Sequence, residues 1–267
     1  MRLLSVLFNN NMGGAVKRRR SAAIYCRLMG LTVSQAVLLL AIAQGPAGPR
    51  VTVAGAVTVT NKGISLLPAL TLGKPAAIFD VAIQGRALSF EPQLRWGLSG
   101  KPWSFIFWGR YRALRGDKLQ LGLGAHPAVV FRTTSVATSG PPQPAIVATR
   151  YLAAEAYPSY ALARDVRAGV YYLYSHGLDR DAVQNTHFLA ARASVDAAIS
   201  AGYAVRFAPQ LYYLWMDRRD GVYVNGAWTL AHRRLPVAVS VMANRTMQSS
   251  IAAEAFLWNV SVIYALR

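Results

Sequence analysis

The sequence predicts an all-β chain: a transmembrane, up-and-down antiparallel β-barrel of about 12 strands, preceded by a signal peptide. Three observations predict it. From residue 64 onward the chain divides into segments of about ten to sixteen residues that alternate apolar and polar, each bounded by Gly, Pro, Asp, Asn or Ser. The charged fraction is only 15% and the mean hydropathy is +0.26. Yet past the first fifty residues no apolar run reaches the roughly 18 residues that a membrane-crossing helix needs. Finally, tight connections alternate along the chain with generally longer, polar ones, as in barrels that hang long loops on one rim.

Lys17 to Arg20 form a positive region, Leu31 to Leu40 an apolar one, and Ala41-Ile42-Ala43 a small-residue cleavage pattern. Residues 1–43 are therefore expected to be a signal peptide cleaved near Ala43, with a start codon that Met12 could equally supply. Cys26 precedes the apolar run, so the exported part has no cysteine and no disulfide framework. The whole chain carries a formal charge of +18. Without 1–43 it keeps 23 basic against 11 acidic residues and stays basic. Residues 44–62 read as a lead-in segment and 63–267 as the barrel.

Strands are then expected near 64–73, 76–84, 87–98, 102–114, 118–133, 146–158, 165–175, 185–199, 202–216, 221–232, 235–246 and 252–266. In "YAVRFAPQLYYLW" the odd positions Tyr203, Val205, Phe207, Leu211, Tyr213 and Trp215 are apolar, with Arg206 and Gln210 opposite. The last segment sets Phe256, Trp258, Val260, Val262 and Tyr264 against Asn259 and Ser261. In "KPWSFIFWGRYRALRGDKLQLGLG", Trp103, Phe105, Phe107 and Tyr111 share one phase and Arg110 and Arg112 the other. Tight turns fall at "QGRA", "LRGDK", "ALARD", "SAGY" and "HRRLP". A soluble sandwich or lipocalin-like barrel would invert the faces. Its water-facing phase would then need many Lys and Glu, whereas the polar phases here are modest and rich in Gly, Ala, Ser, Thr and Gln.

The segments "GISLLPALTLGKPAAIFD", "LSFEPQLRWGLSGKPWSFIFWGRYR" and "LGLGAHPAVVF" resemble an uncharacterised outer-membrane β-barrel protein family of Bacteroidota-type Gram-negative bacteria. The resemblance runs from about residue 57 to the carboxyl end. It implies an exported outer-membrane barrel with no established ligand or reaction. It also implies structural roles for Gly63, Pro68, Gly73 and Pro75 at strand ends, and packing or interface roles for Trp103 and Trp108. Arg267 departs from the aromatic last residue common in such barrels.

With the aromatic phase in lipid, Arg95, Arg110, Arg112, Arg132, Arg167, Arg192 and Arg206 are expected to face inward, with Asp80, Glu91, Glu155 and Asp196 as acidic partners. Trp103, Trp108, Tyr111, Trp215 and Trp258 are expected at the membrane interface. A basic lumen concentrates anions. The alternative is that the same groups pair into networks that plug a narrow barrel, since twelve strands lie between the filled eight and the open sixteen.

Catalysis finds no support in the spacing. A lipid-modifying hydrolase needs a hydroxyl in reach of a histidine, and none of His126, His176, His187 and His232 has Ser two residues on. The histidines are dispersed, so no metal is expected, and no cofactor. "DRRDG" reads as a charged turn and "GLGAHP" as a strand with glycines. Expected partners are outer-membrane lipids, the barrel-assembly machinery during insertion and small anionic solutes, with no nucleic acid. The function read from the sequence is a non-catalytic small pore or ligand-binding barrel. The alternatives are a plugged scaffold and an outer-membrane hydrolase.

Overall fold

A computed structural model of the chain describes residues 51–65, 71–136, 141–200 and 202–266; the signal-peptide reading, with Cys26 and Ala43, falls outside them. Twelve strands follow in order: β1 (Thr52–Thr60), β2 (Ala76–Gln84), β3 (Leu88–Gly97), β4 (Pro102–Arg115), β5 (Leu119–Val136) and β6 (Gln143–Ala163), then β7 (Val166–Gly177), β8 (Asn185–Ser200), β9 (Tyr203–Met216), β10 (Arg219–His232), β11 (Val237–Ser249) and β12 (Phe256–Leu266). Each pairs antiparallel with its neighbours in sequence, and β1 closes the ring on β12, Val59 opposite Val262. Closure satisfies every strand's ladder from within the sheet, which is the condition for sheet in hydrocarbon.

The side chains obey the period of two. On β9, Leu211, Tyr213 and Trp215 are exposed on the outer face whereas Tyr212, Leu214 and Met216 are buried inside. The outer face is a continuous apolar belt, with Phe79, Phe90, Leu152, Leu189, Trp228 and Val262 among its members. Such a belt matches the apolar band that a transmembrane barrel presents to acyl chains.

The first strand differs from expectation. β1 lies at 52–60, inside the segment read as a lead-in, and the described residues of 64–73 are not strand. "TVAGAVTVT" alternates Val against Ala and Thr, a quiet signal, whereas "GISLLPALTL" alternates more loudly. The ends of that second stretch bond to each other instead of to a neighbouring strand: Gly63 N–H donates to the Lys74 carbonyl at 2.8 Å, and Leu72 N–H to the Gly63 carbonyl at 2.7 Å. Residues 61–75 thus connect β1 to β2. Gly73 takes φ +69° there, a left-handed backbone that glycine adopts without strain.

The connections before Leu88, Leu119, Val166, Tyr203 and Val237 form one end of the barrel, the turn end, and all are short. Those before Ala76, Gln143, Asn185 and Phe256 lie at the other, the loop end, and are longer; those before Pro102 and Arg219, also there, are short. "DRRDG" is accordingly a tight turn, with Asp217 at φ 52°. β5 and β6 run to 18 and 21 residues, well past the roughly 9–11 that cross a bilayer, so their hairpin rises above the loop-end rim.

Candidate functional site: the barrel lumen

The interior divides into three regions. The first is a packed aromatic wall on β6 to β10. Inward rings form a ladder, one per strand: Tyr157, Tyr171, Phe188, Tyr212 and Tyr223, with successive centroids 6.4, 5.8, 5.0 and 4.8 Å apart. Leu173, Leu214 and Met216 pack with them, and Ile251 and Val183 reach in from two loop-end connections. Tyr171, Phe188, Leu214 and Tyr223 are fully buried, so this half of the barrel is filled like a protein core. The ladder was not anticipated from the sequence. Its signal is the doublets Tyr171-Tyr172 and Tyr212-Tyr213, which put one ring on each face.

The second region is an ion network on β3 to β6. Arg110 on β4 pairs with Glu91 on β3 and, at 2.7 Å, with Glu155 on β6. The Glu155 carboxylate also accepts from Tyr171 Oη at 2.5 Å, and Glu91 accepts from Ser89 Oγ at 2.7 Å. Glu155 reaches β4 by lying across β5, over Gly124, while Tyr157 lies over Gly122. A Cβ at Gly124 would sit 2.7 Å from Glu155 Oε1, and one at Gly122 would collide with the Tyr157 ring. The "GLG" of β5 is therefore a floor for side chains from β6. Trp108 lies under the Arg110 guanidinium at 4.2 Å and meets His126 edge-to-face at 3.9 Å.

The remaining inward arginines lie mostly toward the turn end. Arg112 donates to the Gly85 carbonyl at 2.5 Å and Arg167 to Ser159 Oγ at 3.3 Å. Neither has a carboxylate partner among the described residues. Arg206 pairs with Asp196 at 2.7 Å, and Arg192 lies over the Tyr171 ring at 4.8 Å. Arg132 is exposed on the raised β5–β6 hairpin.

The third region is open. A cavity of about 200 Å³ is lined by residues from all twelve strands and by Ile64, Ser65 and Thr71 of the β1–β2 connection. Asp80 and Arg95 face it, joined through Gln93, which donates to Asp80 at 2.5 Å and accepts from Arg95. Most of its remaining polar lining is hydroxyl and amide, a pattern the charge-centred reading of the sequence passed over.

Two of the aromatic groups expected at the membrane interface are inside. Trp103 is only 2% exposed, and its ring lies 5.0 Å from the Arg95 guanidinium. The cause is a bulge: Arg95 pairs with Ser104 but Trp96 with Pro102, so Trp103 is the extra residue and is turned inward. Trp108 is on the same phase as Arg110 and so faces the lumen. Tyr111, Trp215 and Trp258 are exposed on the outer face. Trp215 stacks on His187 at 4.8 Å, and the Tyr172 hydroxyl shares a 2.8 Å hydrogen bond with His187 Nδ1. Among the described residues no serine hydroxyl is hydrogen-bonded to a histidine, and no cluster of His, Cys, Asp and Glu is placed to hold a metal ion.

No family model and no curated relative matches the sequence. Among solved structures, the chain is similar to the KdgM porin, at 7% identity and a TM-score of 0.51, over 81% of this chain and 100% of that one. It is likewise similar to the KdgM porin in complex with disordered oligogalacturonate, at 8% identity and a TM-score of 0.50, over the same shares. At such identities the likeness shows the fold, and the chain has the closed twelve-stranded antiparallel barrel architecture of outer-membrane porins.

Proposed function

We propose that this chain is a narrow, non-catalytic outer-membrane channel for small polar solutes, with a preference for anions. The observation that carries the reading is the interior cavity to which every strand contributes. A barrel plugged as a scaffold would fill that space with its own side chains, as the aromatic wall does on one side only. The preference for anions is supported by the charge of the interior, where Arg95, Arg110, Arg112, Arg167, Arg192 and Arg206 stand against Asp80, Glu91, Glu155 and Asp196. Pairing is uneven: Arg110 is more than neutralised by two carboxylates, while Arg112 and Arg167 bond only to a carbonyl and a hydroxyl. The bias should therefore come from the turn end. The apolar outer belt supports placement in the outer membrane after export, with lipids as neighbours and insertion by the barrel-assembly machinery.

The test is single-channel recording of the refolded chain in a planar bilayer under a salt gradient. A small, steady current with a reversal potential favouring anions is expected. A folded barrel that passes no current would return the reading to a plugged scaffold, and lipid hydrolysis by such a barrel would replace it with the enzyme alternative.

A further inference from the structure

The central cavity is charge-balanced, unlike the turn end. Its ionic groups are Asp80 and Arg95, held together through Gln93, with His126 beside them. Several of its other polar groups are uncommitted. Among the described residues, Ser261, Gln210 and Asn225 make no side-chain hydrogen bonds, and Asn244 and Asn259 use only their carbonyl oxygens, accepting from Tyr212 Oη and Thr60 Oγ1. Their amide N–H groups are left to the cavity.

Among the described residues, three further groups are buried with no partner: Arg95 Nε, Ser104 Oγ and His126 Nδ1. All three residues line this cavity, Ser104 directly opposite Arg95 in the β3–β4 register. Buried polar groups are costly unless bonded, so orphans gathered on one cavity mark a place where something else supplies partners. The cavity exceeds many-fold the roughly 10–15 Å³ that one water requires. Trp108 and Tyr212 add aromatic surface to the same wall.

We propose that this cavity binds a neutral, polyhydroxylated solute of monosaccharide size; the proposal rests on the channel reading for how the solute arrives. The chemistry favours that class. Each hydroxyl of a polyol both donates and accepts, so one molecule can meet a guanidinium N–H, amide N–H groups and serine hydroxyls at once. A simple anion can only accept, and it would meet Asp80 as well as Arg95. A cation finds one carboxylate, already taken by Gln93. The ring carbons of a sugar suit the aromatic wall, where a hydrated ion does not.

The experiment titrates glucose into the refolded full-length barrel and follows two readouts: tryptophan fluorescence in detergent micelles and ionic current in a planar bilayer. Saturable quenching is expected, weakened at least tenfold in Gln210→Leu and Asn225→Leu, whose side chains hold nothing else in place. Trp108→Phe should remove most of the fluorescence change. Sodium acetate should compete weakly or not at all. Where current is present, glucose should block it with the same midpoint. Saturable fluorescence without any current supports the binding site while removing the channel reading. A folded barrel whose fluorescence shows no saturable response to glucose overturns the proposal, whether or not it conducts. Acetate binding as tightly as glucose overturns the polyol assignment, and binding undiminished in both leucine variants overturns the site.

Discussion

Arg110 Nε and Glu155 Oε1 meet at 2.7 Å from strands that are not neighbours, with Gly124 of β5 beneath the contact. The glycine and the ion pair are one device. A side chain at 124 would occupy the path of Glu155, and one at 122 that of Tyr157. Gly122→Val and Gly124→Val are therefore expected to destabilise the barrel by about 1–3 kcal/mol or more through overpacking. The heat-modified shift of the refolded barrel on cold gels reports this as a lower unfolding temperature. Gly109→Ala on β4, where an added Cβ would meet only a carbonyl at 3.7 Å, should change little.

Removing one partner of the network leaves a buried charge behind. Arg110→Gln strands Glu155, whose side chain is wholly buried, and should cost about 3–5 kcal/mol. Arg110→Gln combined with Glu155→Gln should recover part of that loss, because Tyr171 Oη still has an amide oxygen to donate to. Urea unfolding of the two variants in lipid vesicles measures the difference. Equal stability of the single and double variants would mean that the pair is not coupled.

How far the sequence announced all this differs by region. Eleven of the strands were legible because large apolar groups alternate with polar ones in segments such as "YAVRFAPQLYYLW". β1 was not, because Ala, Gly, Thr and Val make a low-contrast alternation, and because register with β12 is a long-range fact. The phase of Arg110 and Arg112 was legible from the period of two. The inward turn of Trp103 was not, since a one-residue bulge reverses the phase and leaves no local mark. Charges drew attention in the sequence, whereas the amides and hydroxyls of the cavity became a site only when closure gathered them from separate strands.

Ion preference should trace to the turn end. Arg112→Gln with Arg167→Gln removes two positive charges from groups that no carboxylate holds, and the anion-to-cation permeability ratio should fall toward unity. Arg110→Gln should move it less, because that charge is enclosed by Glu91 and Glu155. Reversal potentials under a salt gradient measure both. An unchanged ratio in the double variant, in a barrel that still conducts, would place the selectivity elsewhere.

The loop end carries its own acid-sensitive latch. Asp179 follows β7 in the connection to β8 and clasps Arg150 on β6, accepting from its Nη2 and from its backbone N–H, each at 2.6 Å. Leu178 N–H in turn donates to the Arg150 carbonyl at 2.9 Å, and Gln184 Nε2 donates to the Asp179 carbonyl, also at 2.9 Å. The bonds from the Arg150 side chain and backbone hold the Asp179 carboxyl below its ordinary value of 3.8. A carboxylate depressed in the folded state stabilises above its unfolded pKa, and the stabilisation is lost as pH falls through the folded one. The latch should thus be complete from neutral pH down to about 4 and release in stronger acid. Protection of the Arg150 amide against hydrogen exchange, followed with pH, should fall in that window. Asp179→Asn should lower that protection already at neutral pH and remove its acid step, leaving barrel stability nearly unchanged because Arg150 is exposed and Asp179 only half-buried.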